Sequence, residues 1–138
     1  MTDRTNHRIL VVDDEPIVRE STAMFLAEAG GYEVSTANHG LDALLHLNTS
    51  LSPDVIVSDL NMPHMSGFEF LSVVRHRFPW IPVLALSGAF PSADSVPAGV
   101  IADAFLSKGE DPVKLLDVVA GLIQSTQSLG LRRQSIPA

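Results

Sequence analysis

The chain has 138 residues, 46% of them hydrophobic, and a formal net charge of −7, which suits one domain-sized core without staples. It contains no cysteine, so disulfide frameworks and thiolate metal sites are excluded and a reducing, cytoplasmic setting is expected. No apolar run approaches the ~20 residues of a membrane span, the polar start MTDRTNHR is unlike a secretory signal, and the acidic balance argues against nucleic-acid binding, because the one basic doublet, Arg132-Arg133, is too small a patch.

Short apolar runs alternate with segments of helical periodicity, the pattern of a parallel sheet covered by helices on both faces. The first predicted strand is Ile9 to Val12. A helix follows over Pro16 to Ala29, with Ile17, Phe25 and Leu26 as its apolar stripe, Pro16 in the first turn and Gly30-Gly31 as its stop. The second strand, Tyr32 to Ala37, is mixed in character and suits a sheet edge. Asp42 to Leu47 makes a short second helix bearing Leu44, Leu45 and Leu47. The third strand is Val55 to Ser58, and Gly67 to Phe78 makes a third helix with Phe70, Leu71 and Val74 inward. Pro79 and Pro82 bracket Trp80, which is assigned with the methionines to packing. The fourth strand is Val83 to Leu86 and the fifth Ala104 to Leu106. Between them a fourth helix is expected to be short or irregular, because Pro91, Pro97 and Gly99 interrupt it. The last helix opens with Asp111 as N-cap and Pro112 in first position, and runs to about Ile123 with Leu115, Leu116, Val119 and Leu122 toward the sheet. The expected organisation is an N-terminal extension (1–7), one α/β domain (8–123) and a C-terminal tail (124–138).

In open α/β sheets, ligands bind beyond the carboxyl ends of the strands. Asp13 and Asp14 follow the first strand directly, Asp59 follows the third, Ser87 ends the fourth, and Lys108 lies just past the fifth. These groups converge if the strand order is the flavodoxin-like 2-1-3-4-5, an order taken from known doubly wound sheets rather than read from spacing. Three gathered carboxylates resist full ionisation unless a cation joins them. Mg²⁺ is the candidate, since it takes oxygen ligands and is held by one or two carboxylates plus phosphate oxygens. A carboxylate beside it can attack phosphorus, and an ammonium with a hydroxyl can hold the transferred oxygens.

Each feature has an ordinary reading as well. Asp-Asp-Glu after a strand suits a solvated helix start, Asp59 with Pro63 suits a turn, Ser87-Gly88 a plain loop, Lys108 a surface charge and Phe105 a core residue. Their joint occurrence at four strand ends favours a site. His7, His39, His46, His64 and His76 show no ligand spacing and are read as surface residues.

The stretches Val11-Val12-Asp13-Asp14-Glu15, Ser58-Asp59-Leu60-Asn61-Met62-Pro63 with Gly67, Leu86-Ser87-Gly88 and Phe105-Leu106-Ser107-Lys108 resemble, in order and spacing, the motifs of response-regulator receiver domains. The resemblance covers about residues 8–123. It implies a flavodoxin-like doubly wound five-stranded sheet and a phosphoacceptor switch, with Asp59 taking the phosphoryl group. It further implies Asp14 and Asp59 as direct Mg²⁺ ligands, Asn61 as a ligand through its backbone carbonyl, and Asp13 acting through water. Ser87 and Lys108 would bind the phosphoryl group, and Ser87 and Phe105 would form the switch. The implied partners are a histidine kinase or histidine phosphotransferase upstream and another protein downstream, with no direct nucleic acid or membrane. Such a domain catalyses only its own phosphorylation and dephosphorylation.

Three positions depart from the family pattern. Gly109 follows Lys108 where proline is usual, which leaves that loop less rigid. Gly30-Gly31 carries an extra glycine, expected to be without consequence. The interrupted fourth crossover touches the surface that receivers commonly use for output. One alternative is a haloacid-dehalogenase-like phosphatase, which would want a general-acid Asp where Asn61 stands. Another is a receiver-like module that binds partners without phosphorylation.

Overall fold

The structure is a computed structural model that describes residues 6–49, 52–60, 65, 67–88 and 102–128. In chain order the elements are β1 (Arg8–Val12), α1 (Pro16–Gly30), β2 (Glu33–Ala37), α2 (Gly40–Thr49), β3 (Val55–Asp59), α3 (Gly67–Arg77), β4 (Val83–Ser87), β5 (Ala104–Ser107) and α4 (Pro112–Ser128). All strand pairs are parallel, and the sheet order is β2-β1-β3-β4-β5, the flavodoxin-like order expected. The nearly continuous apolar runs β1, β3 and β4 lie inside the sheet, while β2 exposes Glu33, Ser35 and Thr36 at its edge. Apolarity on both strand faces thus sorted centre from edge. The segment expected to hold the fourth crossover helix lies outside the described residues.

Successive strand residues point to opposite faces, and this alternation divides the core in two. Leu10, Val12, Ile56, Val83 and Ala85 pack with Leu47, Phe70, Leu71 and Val74 of α2 and α3. Ile9, Val11, Val55, Val57, Leu84, Leu86 and Leu106 pack on the other face with Leu26, Val119 and Ile123 of α1 and α4. The three inward residues expected of α3 are all buried. In α4, Leu115, Leu116 and Leu122 pack partly buried beside Val119.

The last helix starts as expected. Asp111 Oδ1 accepts a hydrogen bond from the Val113 amide at 2.9 Å, and Pro112 needs no amide donor in first position. The helix runs past Ile123 to Ser128. Likewise α2 is longer than expected, from Gly40 to Thr49.

One expectation about α1 fails. Ile17 is 81% exposed and cannot share a stripe with Leu26, because nine residues at ~100° each leave the two on opposite sides of the helix. Val18, Thr22 and Phe25 instead line a groove against Leu106 and Leu115. Trp80 is also less buried than packing implied: it stays about half exposed and stands edge-on to Phe78, ring centroids 5.9 Å apart. Met24 is exposed, whereas Met65 packs against the α2–α3 core.

The glycine pair at the end of α1 does have a consequence. Gly31 takes a left-handed φ of 73° and its amide donates to the Ala27 carbonyl at 3.1 Å, closing the helix, a conformation that costs other residues. Gly30 is needed for space: a Cβ there would stand 2.6 Å from Cε2 of Tyr32 and 3.0 Å from Cδ2 of Leu116.

Candidate functional site

The register brings the acidic residues together. Val12 pairs with Ser58, so the next residues on these neighbouring strands, Asp13 and Asp59, reach the carboxyl edge side by side. Asp59 pairs with Leu86, Ser87 pairs with Ser107, and Lys108 follows at once. Asp13 and Asp59 are 2% and 1% exposed, and Asp14 is more open. Each of the three offers an oxygen within 4.8 Å of the others'.

Alternation also decides who meets whom. Asp13, Asp59 and Lys108 continue the rows that face α1 and α4, Val11, Val57 and Leu106. The Lys108 ammonium accordingly lies 3.1 Å from Asp59 Oδ2 and 3.2 Å from Asp13 Oδ2, and also 2.8 Å from Glu15 Oε1. Three N–H donors meet three carboxylates. Burial works against the lysine's charge, yet the hydrogen bonds to Glu15 and Asp59 and the charges of Asp59 and Asp13 outweigh it, so its pKa is raised above the ordinary value. The Glu15 carboxyl is shifted down, first by the hydrogen bond from Lys108 and then by its charge.

The turn between β1 and α1 is pinned at Asp13. Its amide donates to the Ala37 carbonyl at 3.2 Å, its Oδ1 accepts from the Glu15 amide at 2.9 Å, and its carbonyl accepts from Arg19 Nη1 at 3.0 Å. The Asx-type turn is what short acidic residues offer after a strand. Neither Arg19 nor the Glu15 side chain was singled out from the sequence. Arg19 stands one helical turn beyond Glu15, and that spacing was the available signal.

Ser87 is buried and continues the row of Val83 and Ala85 toward the α2–α3 face. Phe105 is partly buried against that same cluster and pairs with Ala85, so the hydroxyl and the ring share one face of the sheet. The Lys108 amide donates to the Ser87 carbonyl at 3.1 Å. A Cβ on Gly109 would meet nothing within 4 Å, and its φ is outside the left-handed region. Asn61 and His64 lie outside the described residues. Of the other histidines, His7 pairs with Asp54 at 3.5 Å and His39 Nδ1 accepts from the Asp42 amide at 3.3 Å. Neither belongs to the acidic cluster.

The donor set suits a small hard cation. All three donors are carboxylate oxygens lying within 4.8 Å of one another, compatible with the ~3–4 Å that separates two oxygens sharing one Mg²⁺ at ~2.1 Å. Three carboxylates contact one ammonium and Asp14 stands beside them, so a divalent ion would relieve an excess of negative charge.

The sheet order and this acidic edge define a doubly wound α/β domain with a cluster of carboxylates at the carboxyl ends of its strands. The family described as response regulator receiver domain matches residues 9–120, and the chain belongs to that family of two-component signalling. Response regulator Rre1 of Synechocystis is 37% identical over 123 residues, covering 87% of this chain and 53% of that protein. The chain therefore spans about half the length of that relative. Among solved structures, chemotaxis response regulator CheY4 of Vibrio cholerae is 36% identical with a TM-score of 0.75, covering 86% of this chain and 99% of that one. Response regulator TrrA of Thermotoga maritima, solved in complex with Mg²⁺-BeF, is 30% identical with a TM-score of 0.75, covering 84% and 98%. Among the described residues no helix is long and apolar enough to cross a membrane.

Proposed function

We propose that this receiver domain is a Mg²⁺-dependent phosphoacceptor switch whose acceptor is Asp59. The observation that carries the reading is the buried Asp59 carboxylate, flanked by Asp13 and Asp14 and touched by Lys108. An Asp59 oxygen attacks the phosphorus of a phosphohistidine on a histidine kinase or phosphotransferase. A P–O bond forms as the P–N bond breaks, the electron pair leaves on the imidazole, which takes a proton from solvent, and Asp59 becomes an acyl phosphate.

Asp14, Asp59, the Asn61 backbone carbonyl and, through water, Asp13 would hold Mg²⁺, which when bound neutralises charge on the phosphoryl oxygens. Lys108 exchanges its contact with Asp59 for a phosphoryl oxygen and keeps the negative charge compensated. The Ser87 hydroxyl donates to another phosphoryl oxygen in a charge-assisted bond. Because Phe105 shares the Ser87 face, that movement repacks the ring and changes the surface read by a downstream protein. The domain turns over no substrate beyond its own phosphoryl group, and it acts in the cytoplasm.

Intact mass after incubation with Mg²⁺ and acetyl phosphate tests the reading. One phosphoryl group is expected on the wild type and none on Asp59→Asn, since an amide is not a competent nucleophile. Equal labelling of the two proteins would remove Asp59 from the role.

A further inference from the structure

Glu15 stands outside the ligand set, yet it makes the shortest of the three contacts to Lys108, 2.8 Å, across 93 residues of sequence. As N-cap of α1 its side chain makes no capping hydrogen bond; it reaches over the lysine instead. The carboxylate is 59% exposed and the Lys108 side chain 18%. The ammonium is therefore pinned between two buried carboxylates on its inner side and Glu15 on its outer side. Glu15 is itself well seated, its amide on Asp13 Oδ1 and its carbonyl accepting from the Arg19 amide at 2.8 Å.

When Asp59 and Asp13 turn to a cation and a phosphoryl group, the inner contacts of Lys108 must be remade, whereas the outer one need not break. A lysine side chain is long and flexible, and the glycine that follows Lys108 imposes no restriction of its own. We infer that Glu15 is a positioning residue for Lys108, a fixed outer anchor that keeps the ammonium aimed at the Asp59 oxygens before and after phosphoryl transfer. An isolated exposed ion pair would do little. This one has a largely desolvated partner already committed to two other charges, and it removes freedom that the ammonium would otherwise lose on each transfer.

The two lysines of the chain, Lys108 and Lys114, allow an internal comparison. In metal-free protein treated with limiting acetic anhydride, Glu15→Ala and the shorter, equally charged Glu15→Asp should both acetylate Lys108 three- to tenfold faster relative to Lys114. An unchanged ratio in both variants would overturn the inference. Beryllofluoride affinity at saturating Mg²⁺, read by fluorine NMR, should fall by a similar factor in Glu15→Ala, and not at all when Lys108 is already Ala. The same loss without Lys108 would assign Glu15 a general field effect and refute the anchor. This second arm rests on the phosphoacceptor reading. Failure of the wild type to bind the mimic would count against that reading, while the acetylation ratio would still decide the role of Glu15.

Discussion

The ammonium of Lys108 stands 3.1 Å from Oδ2 of Asp59, a carboxylate almost wholly withdrawn from water. The chain's other lysine, Lys114, pairs with Glu110 at 3.7 Å and takes no part. Removing one partner of such a pair leaves charge buried without compensation. Lys108→Met is expected to lower stability in chelator by about 1–3 kcal/mol, part of which Mg²⁺ restores. Urea unfolding with EDTA and with Mg²⁺ checks this; equal stability of variant and wild type in EDTA would contradict it.

Asp14 should behave in the opposite way. It belongs to the acidic cluster but is more open than its neighbours, so its charge mainly repels them when no cation is present. Asp14→Asn is expected to raise metal-free stability by about 0.5–1 kcal/mol and to weaken Mg²⁺ binding at least tenfold, to order of magnitude. Calorimetric titration with Mg²⁺ reads the second effect, and an unchanged affinity would take Asp14 out of the ligand set.

Three glycines separate three mechanisms. Gly31→Ala forces a side chain into the left-handed region and should cost about 1 kcal/mol. Gly30→Ala drives a methyl into Tyr32 and Leu116 and should cost about 1–3 kcal/mol, less when Tyr32 is also made smaller. Gly109→Ala meets open space at an ordinary φ and should be neutral or stabilising by up to about 1 kcal/mol through the unfolded chain. Urea midpoints of the three variants give the order directly; a loss at Gly109 equal to that at Gly31 would refute it.

Tyr32 is the one tyrosine of the chain, and burial raises its pKa above the usual phenol value. A phenol whose folded pKa exceeds its unfolded value of ~10 favours the folded state while protonated. Its contribution is complete below pH ~10 and is lost as the pH rises through the higher folded pKa. Phenolate absorbance should therefore appear at higher pH in native protein than in urea. Coincident curves would show that the ring is not desolvated.

The strands and most caps were legible because each rests on local chemistry: buried parallel strands are continuous apolar runs, and Asp111-Pro112 and Gly31 mark helix ends by backbone rules. Asp13, Asp14, Asp59, Ser87 and Lys108 could be placed at one edge because a strand end fixes position to within a residue. Ile17 was misjudged because apolarity was counted without angle around the helix. The Glu15–Lys108 contact was out of reach, since it joins two loops whose approach depends on the finished sheet. The work of Gly30 was hidden for the same reason: it is set by where Leu116, far along the chain, comes to rest.

On the phosphoacceptor reading, the same alternation that splits the core into two layers would also route a signal through the domain. By strand alternation Asp13, Asp59 and Lys108 continue the rows of the α1–α4 side and Ser87 and Phe105 those of the α2–α3 side, and the packed strand residues between them pass strain on rather than absorb it. Ser87 stands at the rim on the strand beside Asp59 and continues the rows of the second layer, so on that reading it offers a short path from the carboxylates to Phe105. Removal of the Ser87 hydroxyl should then leave both layers folded while weakening the coupling between them.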